Sequence, residues 1–220
     1  MTDSTFFILS LSIVFAAVLG VIRFRKMDPA YHPFVYYACL SVLVEIIVYI
    51  LLSNSMTYMV GSVYNLFALA EFYLLVLMFH NWGLLKRKKD YFFIIIGLSY
   101  LLFASTLFIR GYNKINYFAQ IVNSFALIFF SISAFNKMIL NERNNIFKNA
   151  KFWICIGMVI YYTYFILVNT EKISFLHLKP SKYFDYKVWQ INAYANLLVN
   201  LLYAVAVIWI PRKKNIIILL

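Results

Sequence analysis

Residues 64–79 read YNLFALAEFYLLVLMF, apolar enough to lie in hydrocarbon, yet they include Asn65 and Glu71. Extended to 60–80, the stretch becomes a proline-free apolar run of about 20 residues, the length an α-helix needs to cross a bilayer. Six more such runs flank it, at 5–23, 33–53, 91–109, 117–137, 151–169 and 189–210. With 64% hydrophobic and 13% charged residues, the 220-residue chain has more apolar surface than a water-soluble fold could bury. The predicted fold class is therefore all-α: a polytopic integral membrane bundle of seven transmembrane helices. No linker or low-complexity segment divides it, so residues 1–220 are read as a single transmembrane domain.

Pro29, Pro33, Pro180 and Pro211 all fall in connections or at span edges, so the spans are expected to be continuous helices. Basic residues are distributed unevenly. Arg23, Arg25, Lys26, Lys86, Arg87, Lys88, Lys89, Lys137, Arg143, Lys148, Lys151, Arg212, Lys213 and Lys214 all belong to one side, leaving six of the 20 for the other. By the positive-inside tendency this places the N-terminus outside and the C-terminus in the cytoplasm, in a cell membrane. Trp82, Trp153, Trp189 and Trp209 mark span ends, as suits a ring with one polar N–H. The net charge of +12, densest in LLKRKKD at 84–90, is read as this topology signal with some attraction to anionic lipid, not as a nucleic-acid surface. Asp3 precedes the first run and RFRK follows it, the reverse of a secretory signal, so a retained helix is expected.

Polar side chains that cannot reach the interface should turn toward other helices or a wet cavity. On the seventh span Asn192, Asn196, Asn200 and Tyr203 share an arc of about 80°. On the second, Tyr37, Ser41, Glu45 and Tyr49 recur every four residues. Gln120, Asn123, Ser124 and Ser131 form a face on the fifth span, and Tyr64, Asn65 and Glu71 one on the third. The first and fourth spans carry only small hydroxyls and aromatics, so they are expected at the periphery. The candidate ligand-binding set is Glu45, Glu71, Asn65, Asn123, Asn192, Asn196, Asn200, Tyr49, Tyr64, Gln120 and Tyr203.

An amide in such a helix can serve simply as an interhelical hydrogen bond worth about 1 kcal/mol or less. The two glutamates carry more weight. An ionised carboxylate at the bilayer centre costs several kcal/mol, and no basic residue lies at their depth, so a joint, partly protonated site is expected.

Catalytic signatures are weak. His32 and His80 on one side and His177 on the other do not make a zinc site, so no metal is assigned. Cys39 and Cys155 fall inside spans and are read as small apolar side chains. There is no G-x-S-x-G nucleophile motif. Rhodopsins share the helix number but hold retinal on a lysine of the last helix, and 189–210 contains none. No cofactor is assigned, and the balance is against an enzyme.

The function expected is a sensor or receptor-type subunit that binds a small polar or amphipathic ligand in an intramembrane pocket and signals to a cytoplasmic or membrane partner. The alternative is a small transporter coupled to protons at Glu45 or Glu71, although spans lacking interior proline disfavour the broken-helix carrier design. A membrane-embedded enzyme and a structural or effector subunit stand behind these. The connection 170–188, TEKISFLHLKPSKYFDYKV, mixes lysines with apolar residues and is expected to form a lid over the outer mouth.

Overall fold

The computed structural model describes residues 3–85, 89–141, 146–170, 172 and 182–213. All regular structure there is helical apart from one isolated bridge between Met27 and Arg212. The helices are α1 (Asp3–Ser10), α2 (Val14–Arg23), α3 (His32–Ser53), α4 (Thr57–Asn81), α5 (Lys89–Arg110), α6 (Tyr117–Asn141), α7 (Ala150–Thr170) and α8 (Lys182–Trp209). Together they supply seven spans long and apolar enough to cross a membrane, the first made of α1 and α2. Large apolar side chains point outward along them, among them Ile22, Leu66, Phe93, Leu101, Phe108 and Phe129, as a lipid-facing surface requires.

The first span is not one continuous helix. Ser10 Oγ donates to the Phe7 carbonyl and Ser12 Oγ to the Leu9 carbonyl, and between α1 and α2 the backbone tightens into a 3₁₀ turn at Leu11–Ile13. Serine hydroxyls that compete for carbonyls one turn back disturb a helix in this way. The last span also differs from its predicted limits: α8 begins at Lys182, inside what the sequence suggests is a long connection. Of the lid expected at 170–188, residues 182–188 belong to α8, while 171 and 173–181 lie outside the described residues.

Helix neighbours form a closed circuit: α2 packs on α3, α3 on α4, α4 on α6, α6 on α7, α7 on α8, and α8 back on α2. Helix α5 sits outside, against α4 and α6, with 17% of its span buried compared with 50% for α6. The peripheral position expected for the fourth span is thus found. The first span departs from that expectation, because it closes the circuit between α3 and α8 and is buried over 28% of its length against 17% for α5.

The two ends of the bundle differ. Toward the end that carries the basic connections, Phe34, Leu75, Met78, Phe79, Ile154, Met158 and Tyr203 make a tightly closed apolar core. Arg23 closes it further by donating to the carbonyls of Val207, Ile208 and Ile210, a cation placed on the orphan carbonyls of a helix C-terminus. Toward the opposite end the packing stays close on α4 and α6, where Asn65, Ala119, Gln120 and Ile121 are buried, and is looser along parts of α7 and α8. No residue from Gln190 to Leu198 is buried, and of 159–167 only Tyr162 is.

Candidate functional site: a polar cavity between α4, α6 and α7

Three helices each present residues at helical spacing to one small cavity. Helix α4 contributes Ala68, Glu71 and Phe72; α6 contributes Gln120, Asn123, Ser124 and Leu127; α7 contributes Tyr161, Tyr162 and Phe165. Steps of three and four residues keep these side chains on one face of each helix. The free volume is about 20 Å³, space for roughly one water molecule or one small polar group.

The Tyr162 hydroxyl donates to Glu71 Oε1 at 2.9 Å, joining α7 to α4. Tyr37 of α3 faces the same carboxyl. Ser124 Oγ donates to the Gln120 carbonyl at 2.8 Å, which uses its proton within α6. The Asn123 side-chain nitrogen is different: it is buried beside the cavity and has no hydrogen-bond partner among the described residues. A donor left unpaired away from water costs about 1–3 kcal/mol. Glu71 and Asn123 therefore give the cavity one strong acceptor and one unused donor.

Glu45 lies elsewhere. Ser10 Oγ is 2.9 Å from Glu45 Oε2 and also 2.9 Å from the Phe7 carbonyl, so the carboxyl is held by the turn that interrupts the first span. The two glutamates share no hydrogen bond among the described residues; each lies within electrostatic reach of the Tyr161 hydroxyl. Neither has a lysine, arginine or histidine partner among the described residues.

The remaining candidates separate into different roles. Gln120 and Asn123 line the cavity with Glu71. Asn65 does not. Its side-chain nitrogen donates to the carbonyls of Lys114 and Tyr112, and its oxygen accepts the Asn116 N–H at 2.9 Å, so both ends of the amide are spent on the α5–α6 connection. Asn200 donates to Ser12 Oγ at 2.9 Å and thus fastens α8 to the first span. Tyr203 is core, with its ring edge-on to Phe34 and Tyr37. Tyr49 is exposed and stacks on Phe7 at 4.1 Å between ring centroids. Tyr64 lies within reach of Glu45 and Tyr117, while Asn192 and Asn196 are half-buried on α8, away from the cavity lining.

Two contributors escape the sequence reading. Tyr162 is the residue that engages Glu71, but in a run of tyrosines nothing marks it from Tyr161 or Tyr164. Ser10 engages Glu45 from a span expected at the periphery. No group of three or more His, Cys, Asp or Glu side chains comes together among the described residues. His32 instead stacks on Phe24 and His80 packs on Phe92. Comparison of the chain with protein-family models, curated proteins and solved structures finds no match.

Proposed function

We propose that the chain is a membrane-embedded sensor or receptor-type subunit that takes the polar end of a small amphipathic molecule at Glu71 and Asn123. The observation that carries this reading is the buried Asn123 side-chain nitrogen, without a partner among the described residues, which lines with the Glu71 carboxyl a cavity of about 20 Å³. A group that can donate to the carboxyl and accept from the amide at once would satisfy both, which selects a hydroxyl or an amide over a carboxylate. The cavity admits only that group. The apolar remainder would have to extend beyond the cavity, among the apolar faces of the surrounding helices or into lipid. The basic end of the bundle would face the cytoplasm and its partner.

The test is thermal stability of the purified protein in nanodiscs with a series of medium-chain alcohols and primary amides. Stabilisation by some members in the wild type, lost in Asn123→Leu and altered in Glu71→Gln, supports the reading. Equal stabilisation of the wild type and Asn123→Leu overturns it, as does a series in which no member has an effect.

A proton-coupled transporter is the second reading, favoured by two glutamates within the spans, each held by a hydroxyl and neither with a cationic partner among the described residues. Acid-driven flux in proteoliposomes that disappears in both Glu45→Gln and Glu71→Gln would select it.

A further inference from the structure

The isolated bridge between Met27 and Arg212 ties the segment after the first span to the segment after the last. Asp28 N–H donates to the Pro211 carbonyl at 2.9 Å and Lys213 N–H to the Lys26 carbonyl at 2.8 Å, so the two segments run antiparallel. This register sets Lys26 directly opposite Lys213. Lys26 closes a 3₁₀ turn at Phe24–Lys26, and the bond from Lys213 N–H to its carbonyl brings the two backbones together, so two like charges start from adjacent positions and repel. Lys26, Lys213, Arg25 and Arg212 are all exposed, and no carboxylate partner for them occurs among the described residues. Asp28, the acid closest in sequence, turns Oδ1 to the Ala30 N–H, while Arg23 is occupied with the end of α8.

The surface beside these cations is apolar. Val21 and Ile22 on α2 and Ile208 and Trp209 on α8 are exposed within a turn or so of the bridge, on two helices packed against each other. Cations at the end of an outward apolar ridge, with a tryptophan at the boundary, match a phospholipid in both its parts. We infer that the Lys26–Lys213 pair is a binding site for the phosphate of an anionic phospholipid, whose acyl chains lie along α2 and α8. The bound anion converts the repulsion across the bridge into a bridging contact that holds the first and last spans together.

The experiment is native mass spectrometry of the full chain released from mixed micelles of phosphatidylglycerol and phosphatidylcholine, with Lys26→Gln/Lys213→Gln compared against Lys148→Gln/Lys151→Gln. The second pair removes the same charge from the same end of the bundle. The wild type and the control should retain phosphatidylglycerol preferentially, and the bridge variant should lose that preference by on the order of tenfold. Inorganic phosphate should not displace the lipid. Equal retention of both lipids by the wild type overturns the site. So does an equal loss in both variants, which would reveal diffuse surface charge, and so does displacement by inorganic phosphate, which would reveal a free-phosphate site. Lys26, Lys148 and Lys213 are exposed and Lys151 is half-buried, so folding of both variants is checked by their unliganded charge-state distributions.

Discussion

Tyr162 on α7 donates its hydroxyl proton to Glu71 on α4 at 2.9 Å, a direct polar link between two helices that otherwise meet through the cavity. Removing the donor in Tyr162→Phe should lower stability by about 1–2 kcal/mol. Glu71→Gln keeps an acceptor oxygen for Tyr162 and should cost less than Tyr162→Phe. The double variant should lose less than the sum of the two, since both act on one bond. Denaturation midpoints of the four proteins in a single detergent check this. Strict additivity would mean that the contact contributes nothing.

Gly61 should not tolerate a side chain. A Cβ there would stand 2.0 Å from the Asn113 carbonyl oxygen, which is backbone and cannot swing aside. Gly61→Ala should push the α5–α6 connection off α4, break the Asn65 hydrogen bonds to it, and raise protease cleavage between Gly111 and Asn116. Gly97→Ala meets nothing within 4 Å and should be neutral or slightly stabilising, because alanine is the better helix former.

Gly157 presents a softer version of the same constraint. A Cβ would lie 2.6 Å from Tyr203 Cε1, and that ring is fixed by Phe34 and Tyr37. Gly157→Ala should cost about 1–3 kcal/mol through overpacking. Adding Tyr203→Leu should recover part of the loss, measured as the thermal midpoint of the double variant against each single one.

The turn at Leu11–Ile13 should respond to its serines. With Ser10→Ala and Ser12→Ala together, the carbonyls of Phe7 and Leu9 return to the helical ladder, and Glu45 and Asn200 each lose a partner. Hydrogen exchange at residues 11–14 should slow, while the thermal midpoint of the whole protein falls. Unchanged exchange at these amides would mean that the serines do not shape the turn.

The seven spans are legible in the sequence because about 20 apolar residues in a row have few alternatives. Their limits are less so: the turn inside the first span depends on two serine hydroxyls, and a serine between apolar residues carries no sign of which carbonyl it will choose. The angular reading finds faces but not partners. Counted along their spans Asn65 and Asn123 look equivalent, yet Asn65 is consumed by the 112–116 connection while Asn123 lies about two turns further in, beside the cavity that Glu71 lines, with its side-chain nitrogen unpaired among the described residues. Tyr162 is hidden for a related reason, since three neighbouring tyrosines differ only in which helix each one meets.

Arg23 and the carbonyl of Val207 are 184 positions apart, so one is synthesised long before the other. At about 5–20 residues per second the interval is roughly 10–40 s, during which the first span has inserted but the helix it caps does not exist. Its guanidinium must be solvated at the interface all that time, and the face that will receive α8 stays open to lipid or to other chains. Closing the circuit is therefore a late event in biogenesis, and a chain that stalls before its last helix would keep its first one unclaimed.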